Sequence, residues 1–324
     1  MRMPAEWAPH ERTIVCWPAR ETMWQEHFAD AKAEHAAVVN AIAAFEPVTL
    51  AVDPAQEAEA RAAVRGDVDV VAIPLDDSWA RDSGPIFVTG DGSRAGVHFG
   101  FNAWGEKFAP YDKDAAFGAR VLEHLGVERV DAGDLILEGG SIAVDGEGTL
   151  ITTEQCLLHP TRNPRLGREE IEARLREALG VERVVWLGLG LVEDDDTDGH
   201  VDNICAWIEP GRVLLQTVAD ENDPNFGLCR ENAERLSAAG IDVVELDVLP
   251  RLAGEEPPVV VPYVNFYIAN GALIVPVTGA ETDGDALALL ERLYPGREAV
   301  PVSGTTLALG GGGVHCITQQ VPAV

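Results

Sequence analysis

Across 324 residues the sequence carries 54 Asp and Glu against 24 Lys and Arg, a formal net charge of -30, with 46% of residues hydrophobic. That charge argues against nucleic acid and anionic membrane as partners and favours small cations, although high-salt or solubility adaptation fits it too. No run approaches the roughly 20 apolar residues of a membrane span.

MRMPAEWAPHERTIVCWPAR lacks the apolar core of a signal peptide. Cys16, Cys156, Cys205, Cys229 and Cys316 form no CxxC pair, so neither a zinc cage nor a disulfide framework is expected, and a reducing cytoplasm is. AKAEHAAVVNAIAAF has apolar residues at helical spacing. PIFVTGDGSRAGVHFGF then reads as a hairpin turning at GDGS, followed by the amphipathic DAAFGARVLEHLG with its glycine stop. The pattern returns in SIAVDGEGTLITT with REEIEARLREALG and a short apolar ERVVWLGL. It returns again in NICAWIEPGRVLLQTV with ENAERLSAAG and IDVVELDV. A last copy, VNFYIANGALIVPV, turns at Asn270-Gly271 and precedes GDALALLERLYPG. The unit is hairpin, helix, strand, at a period of about 60 residues, and about five copies fit the length. One such unit cannot bury its own sheet face. A single closed α/β domain over residues 1–324, with quasi-fivefold symmetry, is therefore expected; an ordinary α/β sandwich is the alternative.

The segments just ahead of the hairpins are DDSWARDSGP, LEGGS, EDDDTDGHVDN and GGGGVHC. Each sets acids, a histidine or a cysteine at a strand mouth, where a radial fold would gather them. His200 and Asp202 are expected on one face at the start of a strand, suited to proton transfer and cation binding, although an HxD pair also occurs in purely structural roles. Asp194, Asp196, Asp198 and Gly199 match the opening of a calcium loop, but its twelfth position falls on Cys205 rather than Glu. Asp82, behind Trp79 and Arg81, could equally be a cap, and Glu138 before two glycines could be a turn residue. The glycine run 310–313 has no following lysine or helix, so it is neither a phosphate nor a dinucleotide loop. It reads instead as a bed for Cys316. His315 adjoins that thiol, but neighbours in an extended segment point opposite ways, which leaves His200 as the better base.

WAPHERTIVCWP, DDSWARDSGPIFV, FNAWGEKFAPYDKD, LEGGSIAVDGEGTLITTEQCLL, DTDGHVDN, YVNFYIANGALIVP and GGGGVHCITQQ span almost the whole chain. Together they resemble the agmatine deiminases, close to bacterial peptidylarginine deiminases in the guanidine-modifying superfamily. The resemblance implies a five-bladed α/β propeller (pentein) of ββαβ units and hydrolysis of a guanidinium to a urea and ammonia, without metal or cofactor. By the same resemblance Cys316 is the nucleophile, His200 the acid/base, and Asp82 and Asp202 the guanidinium ligands. Glu138 orients and charges His200, and Trp79 packs on the substrate. Gly313 stands where many members have Asn, Ala143 where a His is usual, and Asp196 where a Glu is usual. Asp196 and Gly313 are therefore expected to bear on substrate fit. A free arginine substrate would require a base for its carboxylate, and Arg81, Lys107 and Lys113 are the candidates. The family suggests a homodimer.

Overall fold

The computed structural model describes residues 1–324. Its strands in chain order are β1 (His10–Cys16), β2 (Val48–Val52), β3 (Val68–Ala72), β4 (Ile86–Gly90), β5 (Ser93–Gly100), β6 (Glu128–Ile136), β7 (Ile142–Val144) and β8 (Thr149–Thr153). They continue with β9 (Arg183–Leu187), β10 (Cys205–Glu209), β11 (Arg212–Gln216), β12 (Asp242–Leu246), β13 (Tyr267–Ala269), β14 (Ala272–Val277), β15 (Glu298–Ser303) and β16 (Thr318–Pro322). These form five separate sheets: β4-β5-β6, β7-β8-β9, β10-β11-β12, β13-β14-β15 and β16-β1-β2-β3.

Four of the sheets share one wiring, in which an antiparallel hairpin is followed by a helix and a third strand parallel to the second. The hairpins turn where the sequence places Gly. Asp91 and Gly92 both take positive φ, the geometry that a two-residue hairpin turn requires. The crossover helices are Phe117–Leu125, Arg168–Leu179, Phe226–Ala238 and Asp283–Leu293, each burying a narrow apolar stripe. The fifth sheet is assembled from both ends of the chain. There β16 pairs antiparallel with β1, and the helix Phe28–Ile42 connects β1 to its parallel neighbour β2. No helix is long and apolar enough to cross a membrane.

The core is divided among the sheets. Val88 and Val97 pack with Ile142 and Leu150, Ile151 and Val185 with Cys205 and Val213, and Ile208 and Leu214 with Ile268 and Leu273. Tyr267 and Ile274 pack with Val15 and Leu50, while Ile14 and Val321 pack with Phe87. Each cluster thus joins two neighbouring sheets, and the inner strands β2, β8, β11 and β14 are buried along nearly their whole length, whereas the outer β3, β6, β12 and β15 stay largely accessible. The segments that lead into β4, β7, β10, β13 and β16 are brought to one place, and all five contribute polar side chains to it.

Candidate active site

Asp82 lies in the single helical turn Ala80–Ser83 ahead of β4. Glu138 precedes the 3-10 turn Gly139–Ser141 that leads into β7. His200 and Asp202 were expected at a strand start, but the strand begins only at Cys205, and these residues belong to a 3-10 turn over Val201–Asn203. Asp194 causes this: its carboxylate accepts from the backbone N–H groups of Thr197 and His200 and from the Asn203 amide, bending the chain before the ladder can start. The two side chains converge nonetheless. A Cβ built on Gly140 would fall 2.6 Å from His200 Nδ1 and 2.9 Å from both Asp202 Oδ2 and Asp82 Oδ1. Only glycine leaves space for that meeting.

Cys316 sits in a turn ahead of β16, with Sγ 3.6 Å from Asp202 Oδ2 and 3.4 Å from the Asn265 amide nitrogen. Asp82 is held at both oxygens, by the Gly140 N–H and by the Trp104 indole N–H, each at 2.9 Å. Glu138 accepts from Arg162 Nε at 2.6 Å, and the same guanidinium reaches Asp198. Glu138 Oε2, both ring nitrogens of His200 and Asp202 Oδ1 are buried without any hydrogen-bond partner. Stranding so many polar atoms in one interior is costly unless a ligand completes them. They mark where a cation with several donors is to be received.

The glycine run forms a bed rather than a tail. A Cβ on Gly310 would strike the Trp24 ring, on Gly311 the Asp196 carboxylate, on Gly312 the Trp79 ring and on Gly313 the Asn265 side chain, each at 2.3 Å. Trp79, stacked on Trp24, thereby lies directly against the backbone that carries Cys316. A Gly312→Ala change should displace Trp79 and lower kcat/KM by about 10²-fold, the scale of an ångström-sized misplacement. Kinetics together with a melting curve would check this: a stable variant with unchanged kcat/KM would contradict the packing role.

Trp79, Trp104, Phe108, Asp82, Asp196, Gly310, Gly311, Gly312 and Cys316 surround a narrow cavity. Asp196 was expected at the substrate, and it does line this cavity. Burial beside Asp194 raises its pKa, and Lys107 opposes the rise. Gly313 lies off the narrow cavity, in a wider groove with Asn265 and Pro262, and touches the Cys316 sulfur through its backbone. Ala143 faces another cavity, on the far side of Asp202 and His315.

The calcium-loop reading is overturned. Asp194 is committed to its own turn, Asp198 pairs with Lys107 at 2.8 Å and Arg162 at 2.6 Å, and Asp196 faces the cavity, so the three carboxylates do not converge. His315 also departs from expectation. Val314–Ile317 is a turn, not an extended segment, and the imidazole swings round to Asp202 Oδ2 at 2.8 Å.

Burial, followed by Asp202 and Asp82, pushes the Cys316 thiol well above its ordinary pKa. Burial would depress His200, yet Asp82, Cys156 and Asp202 lift its imidazole well above the usual value. Both shifts are upward and favour the protonated form of each group.

The Porphyromonas-type peptidyl-arginine deiminase family model matches residues 2–322. The chain belongs to that family. Among relatives of this deiminase, the agmatine deiminase of Pseudomonas putida is 44% identical over 99% of the chain and 95% of its own length. The solved agmatine deiminase of Enterococcus faecalis superposes with a TM-score of 0.94 at 33% identity, covering 99% of this chain and 96% of that one. A DDAH from Pseudomonas aeruginosa, at 16% identity and TM-score 0.53 over 96% of this chain and 99% of that one, shares the α/β pentein-type fold alone.

Five residues of the deiminase site escaped the sequence reading: Glu6, Trp104, Arg162, Asn265 and, set aside there, His315. Asn265 had a usable signal, since it stands just ahead of β13 where the other units carry their acids, histidine and cysteine. Trp104 stood inside the family motif FNAWGEKFAPYDKD without being singled out, and Arg162 had no signal; both reach the site from the crossover stretches that follow β5 and β8.

Proposed function

We propose that the protein hydrolyses the guanidinium of agmatine to N-carbamoylputrescine and ammonia, with Cys316 as the covalent nucleophile. The observation that carries this reading is a buried thiol facing two buried aspartates and an imidazole, with Asp202 Oδ1 and both His200 ring nitrogens left unpartnered. A guanidinium is planar, always charged and rich in donors, and carboxylates match its fork. Asp82 and Asp202 hold it, leaving the central carbon open to Sγ.

Entry of the guanidinium drives the Cys316 proton out to solvent water, and addition of the resulting thiolate to the central carbon forms the C–S bond. A proton from His200 lets one nitrogen depart as ammonia, leaving an S-alkylthiouronium on Cys316. His200, now neutral, deprotonates a water that adds to the same carbon, and breaking the C–S bond releases the ureido product and the thiolate. Glu138, anchored by Arg162, lies within 4.8 Å of His200, and its role in this reading is to stabilise the imidazolium. The second proton of the attacking water leaves with the ammonia as ammonium, so every step balances.

Charge supports ionisation of the thiol by the substrate itself. Burial, followed by Asp202 and Asp82, holds the proton on the sulfur before a cation enters. The guanidinium adds a positive charge, and loss of the Cys316 proton offsets it. Iodoacetamide alkylation of the free enzyme should therefore show a midpoint above the roughly 8.5 of an ordinary thiol. Thiolate absorbance at fixed pH should rise when a guanidinium ligand is added. A midpoint below neutrality, unmoved by ligand, would establish a resting thiolate instead.

The far end of the substrate is read by charge. Arg81 pairs with Glu6, Lys107 with Asp198 and Lys113 with Asp53, so each candidate base for an arginine carboxylate is already engaged. Asp196 on the cavity wall suits an ammonium. Turnover of agmatine, with at least about 10²-fold lower kcat/KM for free arginine and an arginine-terminated peptide, is expected from one such interaction. Ammonia release across the three substrates checks it, and a preference for either arginine compound would reject the agmatine assignment.

The same reading takes the five sheets as the blades of one closed propeller and residues 1–324 as one domain. Five core clusters that each join two neighbouring sheets support it. A small guanidine cation as ligand, a cytoplasmic location and a homodimer complete the proposal, and analytical ultracentrifugation would test the last.

A further inference from the structure

Asp202 uses its two oxygens differently. Oδ1 is buried and unpartnered, whereas Oδ2 lies 2.8 Å from His315 Nδ1. The far side of that imidazole, Nε2, lies 3.0 and 3.1 Å from the two oxygens of Glu6. Ionised carboxylates only accept hydrogen bonds, so a ring with a carboxylate at each nitrogen must donate from both and carry a proton on each. The backbone holds the ring in place: His315 N–H donates to the Asn265 carbonyl at 3.2 Å, and the His315 carbonyl accepts from Thr318 N–H at 3.1 Å.

Asp202 needs such support. It approaches Asp82 closely around Gly140, and its Oδ2 is 3.6 Å from a sulfur that must become anionic. Like charges so near one another in a buried site repel, and a cation on Oδ2 offsets that repulsion and fixes which way the carboxylate turns.

We propose that His315 is a positioning residue for the guanidinium site: an imidazolium clamped between Glu6 and Asp202 holds Oδ2 so that Oδ1 is presented to the substrate. The proposal rests on the deiminase reading for its substrate, but the clamp acts on the Cys316 sulfur whether or not agmatine is bound. The groups facing the ring are Asp202, Glu6, Arg81 and Cys316, with Asp82 beyond Asp202 and His10 beyond Glu6. Burial and Arg81 oppose the charge on His315, and Glu6 with Asp202 overcomes them, so its pKa lies above the ordinary value. Burial acts against Glu6 as well, yet His315 and Arg81 hold it at about 2.

His315→Gln and Glu6→Gln in the full-length protein test the clamp with two readouts. The first is iodoacetamide alkylation of Cys316, which needs no substrate. Without the imidazolium, Asp202 faces the sulfur uncompensated, so His315→Gln should alkylate about tenfold more slowly at fixed pH, a one-unit rise in midpoint. The second is agmatine kinetics, in which His315→Gln should raise KM by about 10- to 100-fold, as expected for a weakened charged hydrogen bond, with a smaller change in kcat.

Glu6→Gln removes the outer carboxylate, lowers the His315 pKa and should move the alkaline limb of kcat/KM to lower pH. It also serves if His315→Gln fails to fold. Folded variants with wild-type alkylation, KM and alkaline limb, altered only in melting temperature, would overturn the proposal. If the wild type turned over no agmatine, the substrate assignment would fall while the alkylation comparison still decided the clamp.

Discussion

Cys316→Ala is expected to lower kcat/KM for agmatine on the order of 10⁶-fold, the scale of losing a covalent nucleophile. Alanine cannot form the C–S bond, and Cys316 is the cysteine that lines the cavity. The loss should be almost entirely in kcat, because Asp82, Asp202 and Trp79 still line the cavity. Agmatine should in fact raise the melting temperature of this variant, since a ligand bound only by the folded state stabilises it. The side chain is nearly buried and small, so a collapse of the fold is not the expected cause. Melting curves with and without agmatine, beside ammonia release, separate the two. Residual turnover within about 10²-fold of the wild type would place the nucleophile elsewhere.

Asp202→Asn is expected to cost about 10²- to 10³-fold in kcat/KM, the loss of a buried charge-assisted partner worth about 3 to 4 kcal/mol. Asparagine keeps the shape but removes the charge, and turns an NH₂ towards either the guanidinium or His315. The effect on Cys316 has the opposite sign. Asp202 is among the charges that raise the thiol pKa, so its removal should let iodoacetamide react at lower pH than in the wild type. A slower enzyme with a more reactive thiol is a signature that simple misfolding does not give. Lower turnover with an unchanged alkylation profile would mean that Asp202 binds substrate without influencing the sulfur.

The repeat was legible because each unit carries its own local signals. Asn270-Gly271 and Asp91-Gly92 fix hairpins that involve only neighbouring residues, and Gly180 ends a helix whose residues 168–179 already show the stripe. The catalytic side chains were legible as residue types at strand mouths, and as motifs of a family. Their orientation was not. His200 and Asp202 were expected on a strand by alternation, but Asp194 captures the local N–H groups and converts the segment to a turn. His315 was set aside by the same alternation and fails it for the same reason. Glu6 and Arg162 come from distant segments, 309 residues from His315 and 24 from Glu138, and no local pattern relates them to the groups they serve. Periodicity reports which face a residue occupies; it is silent on which long-range partner fills that face.

The most direct test of the account is acid-quenched mass spectrometry of the enzyme mixed with excess agmatine. The account predicts a peptide containing Cys316 that carries agmatine less ammonia, formed and lost within one turnover and absent from Cys316→Ala. Turnover without any adduct, or an adduct on another cysteine such as Cys156 beside His200, would contradict it.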